Sequence, residues 1–270
     1  MSLGFGHLAR IGHLYPSGGL CDYEIQRMSP DGVQFVTTRL PFPSTGIEDD
    51  RLLVSNIESH ARLLADAEVD IVAINCTAAT LLAGPDVLNQ RVHDATGIES
   101  VTTIEAVVAA LAAVGISRPA MLTPYPHEVV RAEVEYLRTH GIDVVTSLGL
   151  PRSTPVEQAR IEPQQWQDLA DTVDPKAIDG VLFSCAGIRI SDRIESVERR
   201  LGLPVVASNQ ALLWHLLTRL DVPARPDGYG SLFSVSAPVP ADTSAPRVPD
   251  AGYAVCRPGF SAPMPENPTE

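Results

Sequence analysis

The sequence is short of basic residues. It contains 20 lysines and arginines against 33 aspartates and glutamates, which gives a formal net charge of −13 at pH 7. A surface that binds nucleic acid needs a dense basic face, because contacts to the phosphate backbone supply most of the affinity. We therefore expect no nucleic-acid partner, although backbone N–H groups can still bind a small anionic substrate locally.

Long apolar runs are missing as well. No stretch of the sequence reaches the roughly 18 unbroken apolar residues that indicate a membrane span, so no membrane association is expected. The opening residues "MSLGFGHLAR" lack the charged-then-apolar pattern of a secretory signal. The expected location is the cytoplasm, where thiols stay reduced.

Spacings typical of metal and cofactor sites are also lacking. The four cysteines form no C-x-x-C pair, and the seven histidines form no H-x-x-x-H pattern. A structural zinc site is therefore not expected. The "GFG" near the start lacks the remainder of a nucleotide-binding fingerprint, and we expect no cofactor.

What is present is an ordinary globular composition, with 44% hydrophobic and 20% charged residues. Short apolar runs such as "VQFVTTRL", "DIVAIN" and "GVLFS" alternate with longer helical patterns. The helical patterns cover residues 48–67, 102–116 and 209–220, among others. This alternation predicts an α/β protein with mainly parallel sheets flanked by helices.

The order of these elements repeats along the chain. Three landmarks recur at nearly one spacing: Pro16 and Pro126 are 110 residues apart, Cys76 and Cys185 are 109 apart, and Gly97 and Gly202 are 105 apart. We predict two similar halves, residues 1–116 and 117–237, and expect the last helix, about 208–220, to be able to pack on the first half. Residues 238–270 contain eight prolines, and we expect them to form a separate, irregular tail.

Two cysteines occupy matching places in the two halves. Cys76 ends the apolar run "DIVAIN" and opens a turn of small residues, and Cys185 does the same after "GVLFS". Ligands of parallel α/β sheets bind beyond the carboxyl ends of the strands, and small residues let backbone N–H groups approach a carboxylate closely. If the halves face each other around a pseudo-twofold axis, one thiol lies on each side of a bound substrate. One sulfur can then act as base or nucleophile while the other delivers a proton.

A structural explanation competes with this one. A single cysteine at the end of an apolar strand is more often a small buried hydrophobe. Two cysteines at equivalent positions of a duplication, each followed by a small-residue turn, favour the functional interpretation.

The same residues resemble a known group of enzymes, the aspartate/glutamate racemase superfamily. The resemblance is closest to its maleate cis–trans isomerase and arylmalonate decarboxylase branch and covers roughly residues 8 to 235. It is carried by "NCTAAT", "LTPYPHEV", "DGVLFSCAGIRISDRIESVERRLGLPVVASNQALLW" and "GYGSLF". It implies two pseudo-twofold-related, Rossmann-like halves with the active site in the cleft between them.

The resemblance also implies roles for individual residues. Cys76 is similar to the first-half nucleophile of the isomerases and racemases, and Cys185 to the second-half cysteine that gives the proton. Tyr125 resembles a tyrosine that hydrogen-bonds a substrate carboxylate. The backbones of four further residues would hold the carboxylates: Thr77, Ala78, Ala186 and Gly187. The decarboxylases carry glycine in place of the first cysteine, so two thiols argue against simple decarboxylation.

One departure concerns the turn after the first strand. Maleate isomerases have an asparagine there, whereas this chain reads "YPSGGLCDYE", with Gly18 and Gly19 in its place. A second family asparagine has no evident counterpart in "LGLPRSTPVEQARIE". Ser17, Ser153 and Thr154 are candidate hydrogen-bond donors instead. We therefore count Ser17 and Gly18 among the candidate substrate-binding residues, and the substrate can differ from maleate.

These observations lead to a cofactor-independent isomerase that acts on a small carboxylate or dicarboxylate through Cys76 and Cys185. Maleate-type cis–trans isomerisation is the leading hypothesis. The alternatives are an amino-acid or hydantoin racemase, an arylmalonate-type decarboxylase and, outside enzymes, a two-lobed binding protein. Leucine-rich faces such as "ALLWHLLTRL" fit either a core or an interface in a homo-oligomer.

Overall fold

The computed structural model describes residues 6–235, and two four-stranded parallel sheets form its framework. The first sheet contains β1 (Ala9–Pro16), β2 (Val33–Leu40), β3 (Ile71–Ile74) and β4 (Ser100–Thr102). The second contains β5 (Pro119–Thr123), β6 (Thr146–Gly149), β7 (Gly180–Phe183) and β8 (Val205–Ala207). The predicted tail, residues 238–270 with Cys256, lies outside the described residues.

The two sheets share one topology. Their strand orders are β2-β1-β3-β4 and β6-β5-β7-β8, so each strand of the first sheet has a counterpart in the same place of the second. All six strand pairings are parallel. The central strands β3 and β7 are buried along their whole length, as expected where helices cover both faces of a parallel sheet. The predicted α/β fold of two similar halves is confirmed, with sheets that are wholly rather than mainly parallel.

Helices connect the strands in each half. Those that follow β1 to β4 are α1 (Asp22–Met28), α2 (Ile47–Leu53), α3 (Ile57–Ala65), α4 (Thr77–Ala83), α5 (Pro85–Thr96) and α6 (Thr103–Ala113). Those that follow β5 to β8 are α7 (His127–Thr139), α8 (Pro155–Ala159), α9 (Pro163–Ala170), α10 (Ile194–Leu201) and α11 (Ser208–Arg219). Two short 3₁₀ helices cover Ser191–Arg193 and Ser231–Ser234. None of the helices in this described part is long and apolar enough to cross a membrane.

The last helix joins the two halves. Helix α11 packs against α6 and α1, and its leucines are buried in a core cluster that also contains residues of β1, β3 and β5. Its leucine-rich face is therefore used within the chain, as core between helices. The predicted boundary between residues 116 and 117 falls in the segment between α6 and β5.

One predicted helix is wrong in extent. Residues 48–67 were expected to form a single helix, but the chain forms α2 and α3 with a break at residues 54–56. Polar side chains in and beside the break bond to nearby backbone: the Ser55 hydroxyl donates to the Leu52 carbonyl and the Ser59 hydroxyl to the Asn56 carbonyl. Such local bonds compete with the helical ladder. Asp50, on α2 before the break, is buried.

Candidate active site

A pocket lies beyond the carboxyl ends of strands in both sheets. It encloses about 420 Å³, including the open space at its mouth. The first half contributes Tyr15, Pro16, Gly19, Phe42, Thr45, Asp50, Cys76 and Ala78. The second half contributes Tyr125, Pro126, Pro155, Gln158, Cys185, Ala186 and Gly187. Both matched cysteines thus line one cavity.

Cys76 stands at the point where β3 passes into α4. It follows the end of β3 by two residues and occupies the position before the first helical residue, with extended backbone. Burial raises the pKa of its thiol well above the ordinary value, and the nearby Asp50 carboxyl raises it further. The backbone N–H groups of Ala79 and Ala78 act in the opposite direction, because they donate to the sulfur.

Asp50 is the polar neighbour of Cys76. The thiol donates to Asp50 Oδ1 with a sulfur–oxygen distance of 3.9 Å. Burial, together with the charge of Asp49, raises the pKa of the Asp50 carboxyl to about 7. A carboxyl group that titrates near neutrality and touches a thiol can exchange a proton with it.

Cys185 has a different environment. It also follows its strand by two residues, at the end of β7, but its sulfur accepts from one backbone N–H and from a tyrosine hydroxyl. The Gly187 N–H donates to Cys185 Sγ at 3.1 Å, and the thiol faces Gln158 Oε1 at 3.7 Å. Burial raises the pKa of Cys185 to about 12, while hydrogen bonds from the Tyr125 hydroxyl and the Gly187 N–H lower it. These donors are suited to stabilising a thiolate.

Tyr125 lies in the turn between β5 and α7, on the same wall as Cys185. Its hydroxyl is hydrogen-bonded to the Cys185 sulfur, and burial raises its pKa well above the ordinary value. Tyr125 therefore remains a neutral donor. Its predicted contact with a substrate carboxylate stays a prediction.

The turn after Cys185 is held from the first half. The Tyr15 hydroxyl donates to the Ala186 carbonyl at 3.0 Å and accepts from the Cys21 N–H at 3.3 Å. The Cys21 thiol donates to the Gly187 carbonyl at 3.2 Å. Cys21 is thus a buried thiol that contacts the backbone of the second cysteine turn.

Three predicted binding residues lie outside the described pocket wall. Ser17 is exposed, and its hydroxyl accepts from the Phe42 N–H at 2.9 Å. A Cβ at Gly18 would approach the Phe42 carbonyl to 2.7 Å, so packing against Phe42 accounts for the glycine. The Thr77 hydroxyl donates to Ser208 Oγ at 2.9 Å. Their roles in substrate binding stay predictions.

A buried polar network lies between the two cysteine turns. Asn75, the residue before Cys76, donates to Asn209 Oδ1 at 2.9 Å, and Asn209 Nδ2 donates to the Ala186 carbonyl at 3.1 Å. Asn75 Nδ2 also lies 3.0 Å from His13 Nε2. Burial and the charge of Arg39 lower the pKa of His13 to about 3, so this imidazole is neutral. The network connects both cysteine backbones through side chains that do not line the pocket.

Comparisons with known proteins agree with this geometry. The family model for arylmalonate decarboxylase matches residues 12–233. The chain belongs to the arylmalonate decarboxylase family.

The curated proteins similar to this chain include two kinds of enzyme. Arylmalonate decarboxylase of Bordetella bronchiseptica is 33% identical over 82% of this chain and 94% of its own length. Maleate isomerase of Pseudomonas putida is 26% identical over 84% of this chain and 98% of its own. The chain is accordingly an enzyme of a family of cofactor-independent isomerases and decarboxylases.

Solved structures show the same fold. Maleate isomerase from Pseudomonas putida S16 has a TM-score of 0.80 at 25% identity and covers 84% of this chain and 98% of its own. A double variant of arylmalonate decarboxylase, with one glycine replaced by cysteine and one cysteine by serine, has a TM-score of 0.78 at 29% identity. It covers 83% of this chain and 98% of its own length.

Several residues of the pocket were not predicted from the sequence. Asp50 and Gln158 each contact one of the thiols, and Phe42 supplies an apolar wall. No local pattern marks them, because each enters the pocket from a helix or loop between strands. Among the described residues that line the pocket there is no lysine, arginine or histidine.

Proposed function

We propose that this protein is a cofactor-independent isomerase that acts on a small carboxylic acid through Cys76 and Cys185. The observation that carries the proposal is that each half supplies one cysteine, at the same place beyond its central strand, to one pocket. A carbon bound between two sulfurs can lose a proton or accept a nucleophile on one face and gain a proton on the other.

Negative charge that develops during such a step needs donors. The backbone N–H groups of Ala78 and Ala79 point at Cys76, and the Gly187 N–H points at Cys185. Tyr125 adds a neutral hydroxyl on the second side. Fixed dipoles of this kind stabilise an enediolate or a thiolate inside a pocket from which water is excluded.

The first version of this chemistry is maleate-type cis–trans isomerisation. Cys76 thiolate adds to the double bond, the carbon–carbon bond rotates, and elimination of the thiolate gives the trans acid, while Cys185 supplies and removes the proton. Support comes from the curated maleate isomerases and from a solved Nocardia farcinica maleate isomerase with a covalently bound succinylcysteine intermediate.

The second version is racemisation by proton exchange between the two thiols. It is favoured by the walls of the pocket, which are largely apolar: Pro16, Phe42, Pro126 and Pro155. Those walls suit an acid with one carboxylate and an apolar substituent better than a dicarboxylate. The absence of a described lysine or arginine from the lining acts in the same direction, because a second carboxylate would lack a cationic partner.

Decarboxylation is the third outcome to be tested, because the family includes arylmalonate decarboxylases. Cys185 and Tyr125 would suffice to protonate an enediolate after loss of carbon dioxide. In that case Cys76 would be dispensable. Cys76→Ala therefore separates decarboxylation from both isomerase versions.

The test is a panel of maleate, α-substituted monocarboxylic acids, amino acids, hydantoins and arylmalonates in deuterated buffer, followed by NMR. Conversion of maleate with a trapped adduct on the Cys76 peptide supports the first version. Deuterium entry at the α-carbon without an adduct supports the second. Activity that survives Cys76→Ala supports decarboxylation, and activity that survives the Cys76→Ala, Cys185→Ala double variant contradicts the site itself.

A further inference from the structure

Asp50 supplies the only carboxyl group among the described residues of the pocket wall, and it lies directly against Cys76. Helix α2 places it there, with Oδ1 3.9 Å from the sulfur. Its residue surface is only 2% exposed. A carboxyl group buried without a cationic partner is unfavourable for the fold, so its presence beside a reacting sulfur calls for a chemical explanation.

No other described group on the wall can serve as a base for Cys76. The imidazole of His13 is directed to Asn75 and Thr37 instead of the thiol. A thiolate formed by loss of the proton to bulk water would add a new negative charge to an enclosed apolar pocket. Transfer of the proton to a neighbouring carboxylate only moves a charge that is already there.

We propose that Asp50 is the catalytic proton acceptor for Cys76, a role that rests on the proposed two-thiol chemistry. The S–H bond of Cys76 breaks, an O–H bond forms at Asp50 Oδ1, and the negative charge passes from the carboxylate to the sulfur. The net charge of the pair is unchanged. When the thiolate has completed its step, Asp50 returns the proton.

The electrostatic surroundings support this role. Burial and Asp49, on the same helix, raise the pKa of Asp50 to about 7, while the Cys76 thiol and the Gly46 N–H lower it. The other titratable group that faces Asp50 is Cys185, across the pocket. A carboxyl group with a pKa near neutrality is a stronger base than an ordinary aspartate, so proton transfer from a thiol is less unfavourable.

The two thiols differ in whether a neighbouring side chain can take up their proton. Cys185 faces the amide oxygen of Gln158, which accepts a hydrogen bond but cannot take up a proton at neutral pH. Its other close partners are donors, the N–H of Gly187 and the hydroxyl of Tyr125. Both sulfurs accept hydrogen bonds from N–H groups, but among the described residues only Cys76 has a carboxylate beside it, which assigns the first deprotonation to Cys76.

The test measures alkylation of Cys76 by iodoacetamide across pH, with each modified peptide quantified by mass spectrometry and Cys185 as an internal reference. Because Asp50 and Cys76 titrate as a pair, the form with thiolate and protonated carboxyl increases about tenfold per pH unit until Asp50 ionises, and then stays constant. The wild-type rate should therefore level off above about 7. In Asp50→Asn the alkylation rate of Cys76 should keep rising with pH. One pH unit above the start of the wild-type plateau it should be roughly tenfold higher than in the wild type.

Turnover by Asp50→Asn should fall, although alkylation of its Cys76 becomes faster. In the filled pocket the Cys76 proton has no acceptor in Asp50→Asn, so kcat should fall by roughly 100-fold or more. Faster alkylation combined with slower turnover is not expected from a merely structural residue. Asp49→Asn is the matched control, because it removes a neighbouring charge without touching the sulfur. Its alkylation profile should still level off, but from a lower pH, since Asp49 helps to raise the pKa of Asp50.

Superimposable alkylation profiles for wild type and Asp50→Asn would overturn the proposal. So would a wild-type rate that rises log-linearly from about pH 6 to about pH 9, a result that needs no variant to fold. If every acid in the panel is left unchanged while the wild-type alkylation profile still levels off, the proposed function fails and the proton pair of Asp50 and Cys76 stands.

Discussion

The Tyr15 hydroxyl donates a hydrogen bond of 3.0 Å to the backbone carbonyl of Ala186. Tyr15 is the residue before the end of β1, in the first sheet, whereas Ala186 follows Cys185 in the second half. The bond therefore fixes the peptide between Ala186 and Gly187 from across the pocket. The N–H of that same peptide donates to Cys185, so the first half orients a donor to the thiol of the second.

Tyr15→Phe removes this bond and keeps the ring. We expect a loss of about 1 kcal/mol in the free energy of unfolding and a clear fall in kcat, because the Gly187 N–H is less firmly held toward the sulfur. Urea unfolding and steady-state kinetics measure the two effects. Tyr136→Phe is the control, since Tyr136 stacks on His140 at a distance from the pocket, and it should leave kcat unchanged. An unaltered kcat in Tyr15→Phe would show that Asn209 and Cys21 hold the turn without this bond.

Gly187→Ala tests whether the space beside the Cys185 sulfur is needed for activity. A Cβ at this position would lie 3.4 Å from Cys185 Sγ and 3.1 Å from Gln158 Oε1. We expect stability to change by less than about 1 kcal/mol, because the Gln158 side chain can shift, while activity falls since the methyl group covers the sulfur. Thermal unfolding and kcat/KM are the measurements.

A second variant separates two causes of this loss. Gly187→Ala combined with Gln158→Ala removes the crowding at the amide but leaves the methyl group beside the sulfur. Activity should remain low in the double variant. Recovery to the level of Gln158→Ala alone would show that displacement of Gln158 caused the loss.

Asn209→Ala breaks the link between the two cysteine turns. Asn75 loses its acceptor and the Ala186 carbonyl loses one of its two donors. Because these groups are buried, we expect a loss of roughly 1–3 kcal/mol in the free energy of unfolding. Asn56→Ala, at an exposed position without a side-chain capping bond, should change it far less. Equal losses in the two variants would contradict a structural role for the network.

Much of this arrangement follows from the sequence, because strands fix backbone positions. Cys76 and Cys185 each follow their strand by two residues, and equal strand order carries both to one end of the molecule. The apolar runs that mark β3 and β7 are buried on both faces, which is the condition under which such runs predict strands. The fold and the shared pocket of the two thiols were therefore accessible without coordinates.

The landmark pair Pro16 and Pro126, 110 residues apart, departs from the strand register by two residues. Ile11 pairs with Ile71 in the first sheet and Pro119 with Gly180 in the second, so β1 and β5 correspond at a spacing of 108 residues. The spacing of 110 matched the letters "YP" instead of the register. By register Tyr125 corresponds to Ser17. Pattern matching in a turn cannot detect such a shift, because turns lack the periodicity that fixes register in a strand.

Asp50 could not be placed from the sequence for a related reason. It lies in an acidic stretch, "EDD", that is typical of a solvated first helical turn, yet the structure buries it on the short helix α2. Gln158 likewise enters from a five-residue helix, α8. Side chains carried by short connecting helices depend on tertiary packing, which local propensity does not determine.

Glu133 gives a prediction about stability and pH. It is fully buried on α7, accepts a hydrogen bond from the Ser184 hydroxyl, and its Oε2 has no partner among the described residues. Burial raises its pKa from 4.5 to about 8. Between these values the folded protein holds a proton that the unfolded chain has released. The contribution of Glu133 to stability is therefore greatest below about 4.5 and is lost as pH rises toward about 8, after which it stays level.

Glu133→Gln removes this titration with little change of shape. Relative to the variant, the wild type should lose up to about 1.4 kcal/mol per pH unit across that window, and the difference is measured by urea unfolding at a series of pH values. Subtracting the unfolding free energy of the variant from that of the wild type cancels the contributions of the other titrating groups, including His13 and Asp50. Glu128→Gln, at an exposed position on the same helix, should give a profile parallel to the wild type. A wild-type profile parallel to that of Glu133→Gln would mean that Glu133 is ionised in the folded protein, against the burial that the structure shows.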